Sequence, residues 1–190
     1  TQEQNVSAFI PTNLISITDG QIVLSPELAA RGLLPAVDVG RSVSRVGGKA
    51  QLPGYRAVAS PLRLAYTQFE ELERFARFGA DVDEETRATL RRGRRVREVL
   101  QQGALETIPP CEQLAVLFAA SEGELDATPS AAVADVEAAL RRAVRDEHDE
   151  LCQRVASGAP LEDDDRETLR RLARRVAKEA APAGDDAGAA

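Results

Sequence analysis

Val39-Gly40-Arg41-Ser42-Val43-Ser44-Arg45-Val46-Gly47-Gly48 is the stretch on which the reading of this 190-residue chain turns, because extended patterning precedes it and helical patterning follows it. It sets Arg45 among small residues. An arginine in a loop is most often a solvated charge or half of a weak salt bridge. Here glycines at 40, 47 and 48 permit close backbone approach, and a guanidinium is a permanent, forked donor matched to phosphate oxygens. A ligand phosphate is therefore the expected partner. The stretch is not itself a phosphate-binding P-loop, which needs G-x-x-x-x-G-K followed by Ser or Thr. Counting back from Gly48-Lys49, Val43 stands where the first glycine belongs, and Ala50 where the magnesium-binding hydroxyl belongs. Another chain, or a segment outside this one, is expected to supply the cradle.

Upstream, Leu14 to Thr18 is a β-branched run, Asp19-Gly20 a tight-turn signal and Gln21 to Leu24 a second extended segment, so the pattern predicts strand, turn, strand. Ser25-Pro26-Glu27 predicts a short helix closed by Gly32, and Pro35 to Val39 an extended piece leading toward Arg45. Such short elements bury no core alone and are expected to finish a larger sheet. Residues 1 to 13 turn apolar at Val6, Phe9 and Ile10, like the exit from an upstream structure. The chain holds no methionine, and its strand-rich opening points to truncation of a longer protein.

Downstream the apolar period becomes helical. Ser60-Pro61 predicts the start of a helix with Leu62, Ala65, Phe69, Leu72 and Ala76 on one face, widened by Phe75 and Phe78 and stopped at Gly79. Asp83 caps the next, with Leu90, Val96, Val99 and Leu100 inward and its end at Gly103. Pro109-Pro110 opens a third through Leu114, Leu117 and Phe118. Thr128-Pro129 opens the longest, with Val133, Val136, Leu140, Val144, Leu151 and Val155 on one face and Ser157-Gly158 as the stop. A fifth runs from about Asp163 to Lys178 on Leu169, Leu172 and Val176. Residues 53–179 are thus expected to form a helical bundle, and the Ala, Gly, Asp and Pro tail from Ala181 to be disordered. The fold class is mixed α/β, mostly α.

Charge supports two regions: residues 1 to 60 hold nine of the 55 Asp, Glu, Lys and Arg residues, which by itself sets a boundary near Ser60. A formal net charge of −7 argues against a nucleic-acid binder, and the longest apolar run, Leu114 to Ala120, is about a third of a membrane span. No signal-peptide pattern opens the chain. Cys111 and Cys152 show neither metal-ligand spacing nor the density of a disulfide scaffold, so a reducing cytoplasm is the default. His148, the only histidine, lies among Asp146, Glu147, Asp149 and Glu150 and reads as a solvated side chain; a multi-histidine metal site is excluded. Arg91, Arg92, Arg94, Arg95 and Arg97 carry no interleaved aromatics and have acidic neighbours, so they read as a solvated or subunit-facing helix surface. Asp163, Asp164 and Asp165 are explained by the dipole of the helix they start, and no metal site is expected.

Asn13 to Gly20 (NLISITDG), Gln21-Ile22, Pro35-Ala36, Gly40 to Gly47 (GRSVSRVG) and Phe75 to Asp83 (FARFGADVD) occur in one order, and with them the chain resembles the alpha subunit of the F-type rotary ATP synthase. The resemblance covers nearly the whole chain and favours alpha over the related beta subunit. It implies that residues 1–52 are the end of a RecA-like nucleotide-binding domain and 53–179 the C-terminal helical domain, with a barrel and the P-loop upstream. It further implies that Arg45 is the arginine finger that enters the catalytic site of a neighbouring beta subunit, and that Ser16 and Gly20 belong to the strand and turn bordering that interface. Pro35 and Gln102 match the noncatalytic nucleotide site. The chain departs from the family there: Leu34 replaces the arginine many alpha subunits carry before the proline, and Ala104 replaces a second adenine-contacting glutamine. Those departures imply a weak noncatalytic site and suggest a divergent alternate form encoded apart from the main operon.

The function so implied is ATP synthesis or hydrolysis coupled to proton or other ion transport, within a hetero-hexamer peripheral to the inner face of a bacterial-type membrane. ATP or ADP with Mg2+ would be held mainly by the upstream segment and the partner subunit. The beta subunit, the central gamma stalk and further synthase subunits would be the partners, with neither nucleic acid nor a membrane span involved. The isolated fragment is expected to be inactive. Two other classes compete: a structural or interaction fragment whose bundle binds a partner while Arg45 pairs locally, and a related hexameric nucleic-acid motor, disfavoured by the negative charge.

Overall fold

The computed structural model describes residues 5–76 and 83–180. It divides after Gln51 into two compact units.

In the first unit, α1 (Phe9–Ile17) leads into β1 (Gly20–Leu24), then α2 (Pro26–Ala30), β2 (Val37–Ser44) and a single 3-10 turn at Gly47–Lys49. The expected strand at Leu14 to Thr18 is therefore corrected: most of it is the last turn of α1. Its hydroxyls explain how a β-branched run stays helical. Ser16 Oγ donates to the Thr12 carbonyl (2.8 Å) and Thr18 Oγ1 to the Leu14 carbonyl (2.9 Å), so both side chains fold back on the helix. Asp19-Gly20 is accordingly a helix-to-strand junction instead of a hairpin turn. The β1–β2 pair is antiparallel, with Gly20 opposite Ser44 and Leu24 opposite Val37, and β2 bulges between Asp38 and Val43. Asp38 closes the bulge: its carboxylate accepts from the Arg41 amide (2.9 Å) and its carbonyl from Ser42 Oγ (2.6 Å). Val39 to Ser44 is thus strand, where sequence predicted the end of an extended piece and a loop. The α2 helix starts as expected, with Ser25 Oγ accepting from the Leu28 amide (3.3 Å) and Pro26 in the first turn.

Ser25 is the only buried residue among those described in this unit, and Phe9, Ile10, Leu14, Ile17, Ile22 and Leu24 are exposed. A two-stranded ladder with no buried apolar side chain has little to resist opening. Limited proteolysis of the isolated chain should consequently remove the first 50 or so residues well before it cuts the second unit; equal protection of both would contradict this.

The second unit is a helical bundle of α3 (Pro53–Ala76), α4 (Glu84–Val99), α5 (Pro110–Glu122), α6 (Val133–Glu147), α7 (Asp149–Ala156) and α8 (Asp163–Ala180). Apolar almost all round, α5 is the central helix, packed by α3, α4, α6, α7 and α8. Phe69, Val96, Leu114, Phe118, Val136, Leu140, Val144 and Leu169 form the sealed core. Gly93 lets α4 approach α3, since a Cβ there would collide with the Phe69 side chain, first with its Cβ and then with the near edge of the ring.

Two sequence-based boundaries and the reading of the cysteines differ. Pro61 lies inside α3, eight residues after its start, so the compositional shift near Ser60 falls within a helix. A mid-helix proline costs about 3 kcal/mol. Packing of the turns before it offsets that cost: Val58 is buried, Gly54 lies against Leu114, and Tyr55 Oη donates to Gln113 Oε1 (2.6 Å). The long helix predicted from Thr128 breaks at His148 (φ −131°, ψ 46°), giving α6 and α7 after a 3-10 turn. Finally, Cys111 and Cys152, whose spacing suggested no disulfide scaffold, are joined in a disulfide, Cα–Cα 5.0 Å.

Asp83 caps α4 as expected, accepting from the Thr86 amide (2.8 Å), which holds its carboxyl below the usual range. The acidic triplet 163–165 lies in the first turn of α8, where Asp165 accepts from the Glu162 amide (3.1 Å) and pairs with Arg154. The arginine run is only partly a solvated surface. Arg95 is buried against Glu98 and Ser130, and Arg97 pairs with Glu73 (3.0 Å) while its guanidinium lies 4.5 Å above the Phe69 ring. Phe78, Gly79 and the tail from Ala181 lie outside the described residues.

Candidate functional site

Arg45 follows the last residue of β2, and the ladder fixes its backbone: its amide donates to the Asp19 carbonyl (2.8 Å). Beside it, β1 begins at Gly20, where a Cβ would strike the Val43 carbonyl oxygen. Only glycine admits that approach. The exposed Arg45 side chain turns to the C-terminal end of α1, Nη1 donating to the Ser16 carbonyl (3.1 Å) and Nη2 to the Ile15 carbonyl (3.0 Å). These carbonyls lack helical partners and carry the negative end of the helix dipole, so a cation suits them. Arg45, Ser16 and Gly20 are thereby brought together, Ser16 through its backbone. A guanidinium has five N–H donors, so the two bonds leave donors for an incoming anion. Arg41 points elsewhere, its Nη1 3.8 Å from Asp38 Oδ2.

The two residues matched to a noncatalytic nucleotide site lie in different units, Pro35 exposed just before β2 and Gln102 after α4. Gln102 Nε2 donates to the Glu106 carbonyl (2.6 Å), and with Val99, Gln113, Val116, Glu137 and Arg141 it lines a cavity of about 140 Å³. The polar side of this cavity is an ion network that sequence reasoning missed. Glu112, buried in the first turn of α5, accepts from Arg141 Nε (3.3 Å) and Arg145 Nη1 (3.1 Å), and Arg141 also reaches Glu106 (2.7 Å). The Arg141 bond holds the Glu106 carboxyl below its usual range, and Glu106 in turn raises Arg141; burial pushes Glu137 up. Glu137 and Arg141 stand four apart on α6, a spacing visible in the sequence, but their connection to Glu112 crosses 29 residues and left no local signal.

Among the described residues no group of His, Cys, Asp and Glu could hold a metal ion, and no helix is long and apolar enough to cross a membrane. Among the described residues, Arg45 has donors that suit a phosphate, and none form a cluster that would coordinate Mg2+.

The two units match two domains of one family. Residues 51–176 match the ATP synthase alpha/beta chain, C terminal domain, and residues 1–44 the ATP synthase alpha/beta family, nucleotide-binding domain. The chain belongs to the ATP synthase alpha/beta family. Within it, similar relatives include alpha subunits: the chain is 57% identical over 162 residues to ATP synthase subunit alpha 1 of Rhodopirellula baltica, covering 85% of this chain and 32% of that protein. It is 53% identical over 174 residues to subunit alpha 2 of Syntrophus aciditrophicus (92% and 34%), and 51% over 192 residues to subunit alpha 2 of Syntrophotalea carbinolica (100% and 37%). The chain spans about a third of the length of these curated relatives.

Proposed function

We propose that the chain is the C-terminal third of a rotary ATP synthase alpha subunit, divided near residue 52 between nucleotide-binding and helical domains, and that Arg45 is donated in trans to the catalytic site of an adjacent beta subunit. The observation that carries this reading is the Arg45 arrangement: a backbone amide held by the Asp19 carbonyl at the strand end and an exposed guanidinium with donors to spare. The substrate is ATP or ADP with Mg2+, which the rest of the subunit and the beta partner would hold. In phosphoryl transfer negative charge spreads over the equatorial oxygens, and a guanidinium positioned there stabilises it without forming a covalent bond. Ser16 and Gly20 serve by fixing where Arg45 starts from. Further partners are the gamma stalk and other synthase subunits, in an ion-translocating hexamer peripheral to the inner face of a bacterial-type membrane; the fragment alone is inactive. The relatives' names, alpha 1 and alpha 2, fit an alternate alpha form. The test is steady-state ATP hydrolysis by a complex of the full-length subunit and its beta partner, with and without the Arg45 side chain.

A second reading has one specific observation in its favour. The two bonds from Arg45 to α1 are intramolecular, as they would be in a purely structural module. Under that reading the arginine's loss would loosen the first unit and leave turnover untouched.

We infer from the resemblance that the noncatalytic nucleotide contacts matched by Pro35 and Gln102 are weak, because Leu34 and Ala104 offer no charge or amide. A missing polar partner costs on the order of 1–3 kcal/mol, or about one to two decades of affinity. Nucleotide titration of the full-length subunit should accordingly show tighter binding for the Leu34→Arg, Ala104→Gln variant than for wild type. No gain would remove the assignment.

A further inference from the structure

The Cys111–Cys152 bond ties the first turn of α5 to the middle of α7, two helices that also pack against each other and bury Leu114 on the one and Leu151 and Val155 on the other. Its two ends differ in access. Cys111 is buried at 7% exposure, whereas Cys152 is half-buried on a helix of only eight residues. The bundle already has a sealed core, unlike small scaffolds that depend on disulfides to fold. The chain has no third cysteine with which the bond could scramble. A cross-link that is accessible at one end, and dispensable for the core, has the features of a reversible bond.

We propose that this pair is a thiol-modification site through which a small thiol of the glutathione class sets the mobility of α7 and of the first turn of α5. The thiolate of the small molecule attacks Cys152 Sγ, forming a mixed disulfide there and expelling the Cys111 thiolate, which takes up a proton. A second small thiol then attacks the mixed disulfide, releasing Cys152 as a thiol and leaving with the first as a small-molecule disulfide. Two electrons and two protons pass to the protein, and the reverse reaction with that disulfide restores the bond. The leaving sulfur sits in the first turn of α5, where backbone N–H groups favour a negative charge. Its sequence neighbours carry the effect onward: Glu112 anchors Arg141 and Arg145, and Gln113 lines the cavity beside Gln102. Reduction therefore loosens one wall of that cavity.

The test uses the full 190-residue chain, oxidised with glutathione disulfide and then exposed to reduced glutathione, with alkylation, melting and hydrogen exchange read in parallel. Alkylation should find no reactive thiol before reduction and two after it, and reoxidation should return the count to none. The melting temperature should fall by about 10 °C on reduction. Amide protection in α7 and the first turn of α5 should fall by roughly tenfold or more while that of α8 changes little. The Cys111→Ser, Cys152→Ser double variant should melt like the reduced protein and ignore the thiol. In single variants, Cys111→Ser should form a glutathione adduct at Cys152 faster than Cys152→Ser does at Cys111. Two free thiols after treatment with glutathione disulfide, a reductant effect that persists in the double variant, or unchanged exchange at α5 and α7 would each overturn the proposal.

Discussion

Arg45→Ala in the assembled complex is expected to lower ATP turnover by roughly three to five decades while changing nucleotide affinity much less. The asymmetry follows from when the charge appears: a donor aimed at oxygens that become more negative in the transition state contributes little to the bound ground state. Arg45→Lys should rescue poorly, because an ammonium restores the charge without the fork. Arg41→Ala is the control on the same strand. Its backbone amide, not its side chain, closes the Asp38 bulge, and its guanidinium makes only a long exposed pair, so its loss should be nearly silent. Steady-state ATPase rates and nucleotide binding measured together for the three variants decide the matter. If Arg45→Ala keeps more than about a tenth of wild-type turnover, a factor worth only some 1.4 kcal/mol, the arginine is a cap for α1 and no more.

The second large effect lies in the bundle. Phe69 is fully buried, faces Gly93 of α4 and carries the Arg97 guanidinium on its ring. Phe69→Ala should destabilise the chain by about 3–5 kcal/mol through lost burial and the cavity left behind, lowering the melting temperature by roughly 10 °C or more. Gly93→Ala should also destabilise, by about 1–3 kcal/mol, for the opposite reason of overfilling. Because the atom nearest to an added Cβ is the Phe69 Cβ, which leucine keeps, Gly93→Ala should cost nearly as much in a Phe69→Leu background as in wild type. Thermal unfolding followed by circular dichroism gives the cycle, and a markedly smaller cost in the leucine background would rule out the Cβ as the point of contact.

What the sequence could show of this fold depended on how local each signal was. Asp83, Pro110 and Asp163 announce helix starts because a cap acts within one turn, and the heptad-like spacing in α6 and α8 marks their inward faces. The β-branched run at Leu14 to Thr18 misled because its helical state rests on hydroxyls folding back and on Arg45 arriving from about thirty positions away. Pro61 misled because its tolerance is paid for by contacts from Tyr55 and Gly54 to α5, nearly sixty residues later. The candidate site divides the same way. Arg45 stands out among its glycines, but the carbonyls that hold it could not be foreseen while α1 was read as a strand. Likewise the buried pairing of Arg95 and the Glu112 network are properties of packed helices and not of any one stretch.

The central position of α5 bears on how the chain is made. It emerges from the ribosome as an apolar helix whose last covering element, α8, is not complete until roughly 60 residues later, which at typical synthesis rates is about 3–12 s. During that interval the face meant for α6 and α8 has nothing to cover it, so the nascent chain is a natural client for a ribosome-associated chaperone, and stalling before α8 would leave an aggregation-prone intermediate.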